Sequence, residues 1–245
     1  MPKDYVIQDS RLVEYKSFSV LLVRSTNLLT SEVQLTATIV RYNGASRDVI
    51  IPDEIESHTV VEIAPGAFMC NQYIQRVRLQ SNITRIGESA FQNCRNMSSI
   101  QMTRAMGKSL SKELTLDRYA FAGCASLSEI SFPHKELTPQ SLHNIIYLPR
   151  LHSLHVWIKE LDAGSLKGCG LLRKIYLADN CIIHKNALKN LPELTSVQLE
   201  GNCDIGQLGK RELSALIKKT IFCPSDSNMV ELMHLGARVE TLPST

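Results

Sequence analysis

The sequence has 245 residues, of which 44% are hydrophobic and 21% are charged, and this balance excludes an intrinsically disordered chain. The formal net charge is only +3, with basic and acidic residues interleaved along the chain, which argues against a nucleic-acid-binding protein. The sequence has no run of about 18 apolar residues, so it predicts no membrane span.

The first residues bear on the compartment of the protein. They include Asp4, Gln8 and Asp9, and they lack the cationic start and apolar centre of a secretory signal. This composition favours a cytoplasmic protein. A cell-surface or secreted protein is the alternative.

Residues 1–40 do not repeat and are rich in β-branched residues. We predict two or three strands here, around residues 6–7, 18–23 and 33–40. The first unit of a repeat array has no partner for its exposed end. We therefore interpret residues 1–40 as an N-terminal β cap on the repeats that follow.

Residues 41–205 contain a repeated apolar pattern, in units of about 20 to 30 residues, the length of leucine-rich repeats. After each of six anchor residues, apolar residues follow at positions six, nine and eleven. The last two lie two apart, so both point to one face of a strand. We predict about six repeats that stack into a parallel sheet, with short helices or turns opposite. The anchors are Phe68, Phe91, Phe121, Ile145, Leu166 and Leu188.

One interval between anchors is longer than the others, and the surplus falls at residues 104–116, which we predict to be a loop. After the repeats, residues 208–219 have helical spacing, and residues 221–224 indicate a strand. A short helix at residues 228–235 and a terminal strand at 238–242 complete the prediction. We interpret residues 206–245 as an irregular C-terminal capping coil.

Seven cysteines are present, none in a Cys-x-x-Cys pair or beside histidines at zinc-ligand spacing. Cys94, Cys124 and Cys169 share one repeat position, whereas Cys181 and Cys203 share another. Equivalent positions are neighbours in a stack, so these thiols should line interior columns. Buried free thiols are favoured, and disulfides between stacked neighbours stay open as the alternative.

Several segments resemble BspA-like leucine-rich repeats, with their Ile-Gly-x-x-Ala-Phe-x-x-Cys units. The segments that match this unit are Gly66-Ala67-Phe68, residues 86–94 and residues 119–124. The resemblance is strong over residues 39–132. Over residues 140–205 it is weaker and extends only to the general leucine-rich repeat pattern. It implies an α/β repeat fold, a right-handed leucine-rich-repeat solenoid with one parallel sheet. It also implies adhesion or protein binding, often at a cell surface, and no enzymatic activity.

The outward positions of the predicted strands are the candidate contact surface. The single tryptophan, Trp157, projects there beside His155 and Tyr176. Trp, Tyr and Arg are enriched among the residues that dominate binding interfaces. The alternative is that Trp157 folds over the sheet edge or under a loop. The candidate partner-binding residues are Arg78, Gln101, His155, Trp157, Lys174, Tyr176 and Gln198.

The sequence has no Gly-x-Ser-x-Gly, His-Glu-x-x-His or Walker motif, and its carboxylates do not pair for acid–base work. His152 and His155 lie three apart, but His152 is predicted in the helix-to-strand connection and only His155 faces outward, which argues against a metal pair. We expect a non-enzymatic binding module without cofactor or metal, whose partner is another protein. A glycan-binding adhesin and a structural or assembly protein are the alternatives. The sequence leaves the oligomeric state open.

Overall fold

The computed structural model describes residues 4–103, 113–204, 208, 210–223, 233 and 238–241. The predicted loop at 104–112 and most of the predicted helix at 228–235 lie outside these residues. Helices are short: α1 (Pro139–Leu142), α2 (Lys210–Ile217) and a 3-10 turn at Ala187–Asn190. The strands are β1 (Tyr5–Tyr15), β2 (Phe18–Asn27), β3 (Val33–Tyr42), β4 (Asp48–Ile50), β5 (Glu54–Ile55), β6 (His58–Ile63), β7 (Arg76–Gln80), β8 (Arg85–Ile86), β9 (Ser99–Thr103), β10 (Glu113–Leu116), β11 (Glu129–Leu137), β12 (Ser153–Leu161), β13 (Lys174–Ile183), β14 (Ser196–Leu199), β15 (Cys203–Asp204), β16 (Thr220–Cys223) and β17 (Arg238–Thr241).

The main feature is a long parallel sheet, here called the front sheet. Its strands follow in the order β4, β7, β9, β11, β12, β13, β14, β16 and β17. Val77 pairs with Ile100 and Ile100 with Ile130, while Ile175 pairs with Val197. All five side chains are buried. The stacking predicted from the repeat spacing is therefore confirmed, and the fold is a parallel-sheet solenoid.

A second ladder of short parallel pairings, the side sheet, joins the coils next to the front sheet. β3 pairs with β6, β6 with β8, and β8 with β10. Later coils continue it through the C-terminal parts of β11, β12 and β13, and then β15. Residues 113–116, predicted as loop, are strand β10 of this sheet. Only two residues form each of the strands β8 and β15, too few to show alternation, so the sequence spacing did not indicate a continuous side sheet.

The N-terminal segment is an antiparallel sheet, in which β2 pairs with both β1 and β3. The other side of β3 pairs in parallel with β6, which joins this sheet to the solenoid. Phe18, Val20, Leu22 and Ile39 are buried against the first coil. β1, in contrast, is exposed along most of its length.

An aromatic column runs through the interior from the N-terminal sheet into the coils. The rings of Tyr42 and Phe68 stack at 5.2 Å, those of Phe68 and Phe91 at 4.7 Å, and those of Phe91 and Phe121 at 5.7 Å. Phe18 extends the column, with its ring 5.2 Å from that of Tyr42. Backbone bonds reinforce it: Phe68 N donates to Ala90 O, and Phe91 N donates to Ala120 O, both at 2.8 Å.

No helix within the described ranges is long and apolar enough to cross a lipid bilayer. The stack of coils leaves the outward side chains of the front sheet at least partly exposed. That surface carries the candidate binding residues.

Candidate binding surface

A cluster of rings and one ammonium group lies on the outward side of the front sheet. It is here called the aromatic patch, and its strands are β12, β13 and β16. Outward positions alternate with buried ones along each strand, so the sequence pattern itself puts these side chains outside. The patch consists of His155, Trp157, Lys174, Tyr176 and Phe222, all partly exposed.

Tyr176 is the centre of the patch. The His155 ring stacks on it with centroids 4.0 Å apart and planes 17° apart. The Trp157 indole meets it edge to face at 5.7 Å and 86°. The edge-to-face contact of Trp157 with Tyr176 is a favoured geometry for aromatic pairs. The three rings thus form one packed group in which each holds the others in place.

A register shift in β12 produces this arrangement. Ser153 pairs with Lys174, but the next paired residue is Trp157, opposite Tyr176. Two more residues of β12 than of β13 lie between these pairs, so His155 and Trp157 both reach the same tyrosine. The sequence spacing had instead aligned His155 with Tyr176 and Trp157 with Ala178.

Trp157 is further fixed by the neighbouring coil. Its indole Nε1 donates a hydrogen bond of 3.1 Å to the backbone carbonyl of Pro133. Pro133 lies where β11 is irregular, between the paired residues Ser131 and Glu136. The indole therefore has a hydrogen-bonded edge and a packed ring, and it is held in one orientation.

Lys174 supplies the positive charge of the patch. Its Nζ lies 4.8 Å from the Tyr176 ring centroid and 5.5 Å from that of Phe222, distances at which a cation is attracted to an aromatic face. None of the ion pairs between described residues includes Lys174. The ammonium group therefore lies near the rings of Tyr176 and Phe222.

The other predicted residues surround the patch or lie apart from it. Gln198 of β14 pairs with Tyr176 on one side and with Phe222 on the other, so it lies within the same row. Gln101 is on β9, where its Nε2 donates to Glu129 Oε1 at 3.0 Å. Arg78 is exposed on β7, still farther along the sheet. The structure brings His155, Trp157, Lys174 and Tyr176 together and leaves Arg78 and Gln101 outside.

Phe222 is the member of the patch that the sequence prediction missed. Its strand was predicted, but residues 221–224 were assigned to the terminal coil and not to the column of outward residues. Ile221 is buried beside Val197, so alternation places Phe222 outward. The repeat pattern itself stops before this coil, because the positions equivalent to the anchor and to the sixth residue after it are the charged residues Glu212 and Lys218.

Histidine–carboxylate contacts lie elsewhere and serve the turns. His143 Nε2 is 2.8 Å from Asp162 Oδ1, and that oxygen also accepts hydrogen bonds from the backbone N–H groups of Gly164 and Ser165. Burial opposes ionisation of Asp162, but the bonds from His143, Gly164 and Ser165 outweigh it and lower the pKa of the carboxyl. Within the described residues, no group of three or more His, Cys, Asp or Glu side chains is placed to hold a metal ion.

Comparison with known proteins places the fold in a family. Six copies of the BspA type leucine-rich repeat region match the sequence, over residues 47–133 and 108–211. No curated protein matches the sequence.

Solved structures with a similar chain path are bacterial leucine-rich repeat proteins. One from T. pallidum is 21% identical with a TM-score of 0.43, and the match covers 94% of this chain and 98% of that one. A leucine-rich cell surface protein from Faecalibacterium prausnitzii is 12% identical with a TM-score of 0.32, covering 97% and 96%. A protein from Bacteroides ovatus is 17% identical with a TM-score of 0.35, covering 98% and 76%. From the six matched repeats, the chain belongs to the BspA-type leucine-rich repeat family.

Proposed function

We propose that this chain is a non-enzymatic binding module that docks another protein on its front sheet through the aromatic patch. The packed group of His155, Trp157 and Tyr176 is the observation that carries the proposal. Leucine-rich repeat proteins are generally interaction or adhesion scaffolds, which agrees with a binding role.

The rigidity of the patch supports binding energetically. A side chain that is already held in its bound orientation loses little conformational entropy when a partner docks. The hydrogen bond from Trp157 to Pro133 and the stacking of His155 on Tyr176 provide this order before binding. Trp and Tyr are also the residues that most often dominate interface energies.

The chemistry of the patch favours a protein partner over a sugar. Carbohydrates bind flat against an open ring face, whereas one face of Tyr176 is covered by His155 at 4.0 Å. Lys174 offers a positive charge to a carboxylate or carbonyl of a partner. We propose Gln198 as part of the contact, and Arg78 and Gln101 as its polar surroundings.

The test compares affinity capture by the parent chain with capture by variants of the patch. Partners are captured from the organism that makes the protein and from its surroundings. The variant Lys174→Glu reverses the charge of a residue that takes part in none of the ion pairs between described residues, and Trp157→Ala with Tyr176→Ala removes two rings. We expect both variants to lose capture of the partner that the parent retains.

The matched control removes two other exposed aromatic side chains. Tyr73 and Tyr147 are 62% and 60% exposed and lie outside the strands of the front sheet. Tyr73→Ala with Tyr147→Ala should retain capture. Equal capture by the parent and by Lys174→Glu, with both chains folded by circular dichroism, would refute the proposal.

A further inference from the structure

Two cysteines face each other in the side sheet. Cys181 of β13 and Cys203 of β15 are paired residues of adjacent parallel strands. Both side chains are buried, Cys181 fully and Cys203 at 8% exposure, and both are free thiols. Paired residues of neighbouring strands have Cα atoms about 4.8 Å apart, within the range of about 4.4–6.8 Å that a disulfide spans.

The other buried cysteines are engaged differently. The Cys94 thiol donates to Phe68 O and the Cys124 thiol to Phe91 O, each at 3.1 Å, and the Cys169 thiol points to Ile145 O at 3.7 Å. Each of these thiols is directed at a backbone carbonyl of the preceding coil. The Cys181 thiol is directed at the carbonyl of its own neighbour Ile182, at 3.8 Å, and the adjacent Cys203 side chain together with burial raises the pKa of Cys181.

We propose that Cys181 and Cys203 form a disulfide by exchange with a small-molecule disulfide, such as oxidised glutathione. The more accessible Cys203 loses its proton and attacks one sulfur of the reagent, which forms a mixed disulfide and releases one thiol. The Cys181 thiolate then attacks the Cys203 sulfur, which forms the protein disulfide and releases the second thiol. The protein loses two electrons and two protons, and the reagent is reduced to two thiols.

The bond would tie together two neighbouring coils at the strand that carries the patch. β13 contains Lys174 and Tyr176 as well as Cys181. A covalent link restricts the unfolded chain and stabilises the folded one. The exchange should be slow, because Cys181 is fully buried and the raised pKa of its thiol keeps it protonated.

The experiment exposes the folded full chain to oxidised glutathione, then blocks the remaining thiols in denaturant and digests with trypsin. Cys181 lies in the tryptic peptide of residues 175–185 and Cys203 in that of residues 190–210. We expect these peptides to be linked, with the loss of two hydrogens, and the link to disappear on reduction. The melting temperature of the oxidised protein should be several degrees higher than that of the reduced protein.

Cys94 and Cys124 are the internal control, since they are equally buried and occupy equivalent positions of adjacent coils. Their tryptic peptides should stay unlinked. The variant Cys203→Ala should show no link and no rise in melting temperature, whereas Cys94→Ala should show both. Separate 175–185 and 190–210 peptides after prolonged exposure of the folded parent would overturn the proposal, as would a preferred link between Cys94 and Cys124.

Discussion

At the scale of single residues, Gly87 lies where two coils touch backbone to backbone. A Cβ atom at this position would be 2.6 Å from Pro65 N and 2.8 Å from Ala64 C. Gly87 N donates to Ile63 O at 2.8 Å, so the segment cannot move away without losing a bond between coils. We expect Gly87→Ala to lower the free energy of unfolding by about 1–3 kcal/mol, measured by urea denaturation.

Gly170 is the matched control for this substitution. The nearest atom to a Cβ at Gly170 is Pro192 Cγ at 4.0 Å, which is ordinary contact. Gly170→Ala should leave stability unchanged or raise it by about 0.4–1 kcal/mol, because alanine restricts the unfolded chain. If both variants lost the same stability, the explanation from close contact would be wrong.

Lys135 is a charged residue in the core, since it is only 1% exposed. Burial lowers the pKa of its ammonium group from 10.5 to about 8. Between pH 8 and pH 10.5, Lys135 keeps its proton in the unfolded chain but has released it in the folded chain. The contribution of Lys135 to the free energy of unfolding therefore rises with pH. Below pH 8 both states carry the charge, and the folded state bears the cost of burying it.

The stability of the variant Lys135→Met relative to the parent should therefore be about 1–3 kcal/mol more favourable at pH 7 than near pH 10. Chemical denaturation at several pH values in this range measures the difference in free energy of unfolding. The buried thiols also make stability depend on pH, but their contribution is the same in both proteins and cancels in the difference. The exposed Lys185→Met is the control and should show no such trend. A gap between Lys135→Met and the parent that stays constant with pH would contradict the assignment.

At the scale of elements, the aromatic column couples the N-terminal sheet to the first coils. Phe91 contacts Phe68 on one side and Phe121 on the other, and it is fully buried. Phe91→Ala would leave a cavity between two coils and lower the free energy of unfolding by about 3–5 kcal/mol. Tyr73→Ala, at a ring that is 62% exposed, should cost much less. Thermal unfolding measures both variants. If they lost the same stability relative to the parent, the column would not be a source of stability.

The repeat spacing predicted the front sheet because one apolar residue in each coil must meet its equivalent in the next. Val77, Ile100 and Ile130 were aligned from the sequence and are paired in the structure. The same spacing could not reveal the shift between Ser153 and Trp157, since an even number of extra residues leaves the alternation intact. It therefore predicted that Trp157 and Tyr176 share a surface but not that they are paired.

At the scale of the whole molecule, the sequence predicted the fold better than the site. Core positions recur in every coil, so a single wrong residue does not hide the pattern. The patch occurs once and depends on contacts between coils, such as the Trp157 bond to Pro133, which no spacing encodes. Phe222 was not predicted as a member of the patch, because its strand follows the last repeat of the alignment.

The N-terminal sheet should protect the solenoid from self-association. It contributes the buried side chains of Phe18, Val20 and Ile39, each of which is worth about 1.5–3 kcal/mol. It also satisfies the hydrogen-bonding edge of β6 through β3. A variant without residues 1–40 would expose this apolar end and an unpaired strand edge, which promotes association.

We expect that variant to elute as larger species than the parent in size-exclusion chromatography with light scattering, and to unfold at a lower temperature. A variant without residues 1–15 removes β1, whose side chains are mostly exposed, and should have the same oligomeric state as the parent with a smaller loss of melting temperature. The comparison separates the need for an N-terminal sheet from the effect of shortening the chain. If the protein without residues 1–40 kept the oligomeric state and the melting temperature of the parent, the first coil would have to bury its own end, and residues 1–40 would not be a cap.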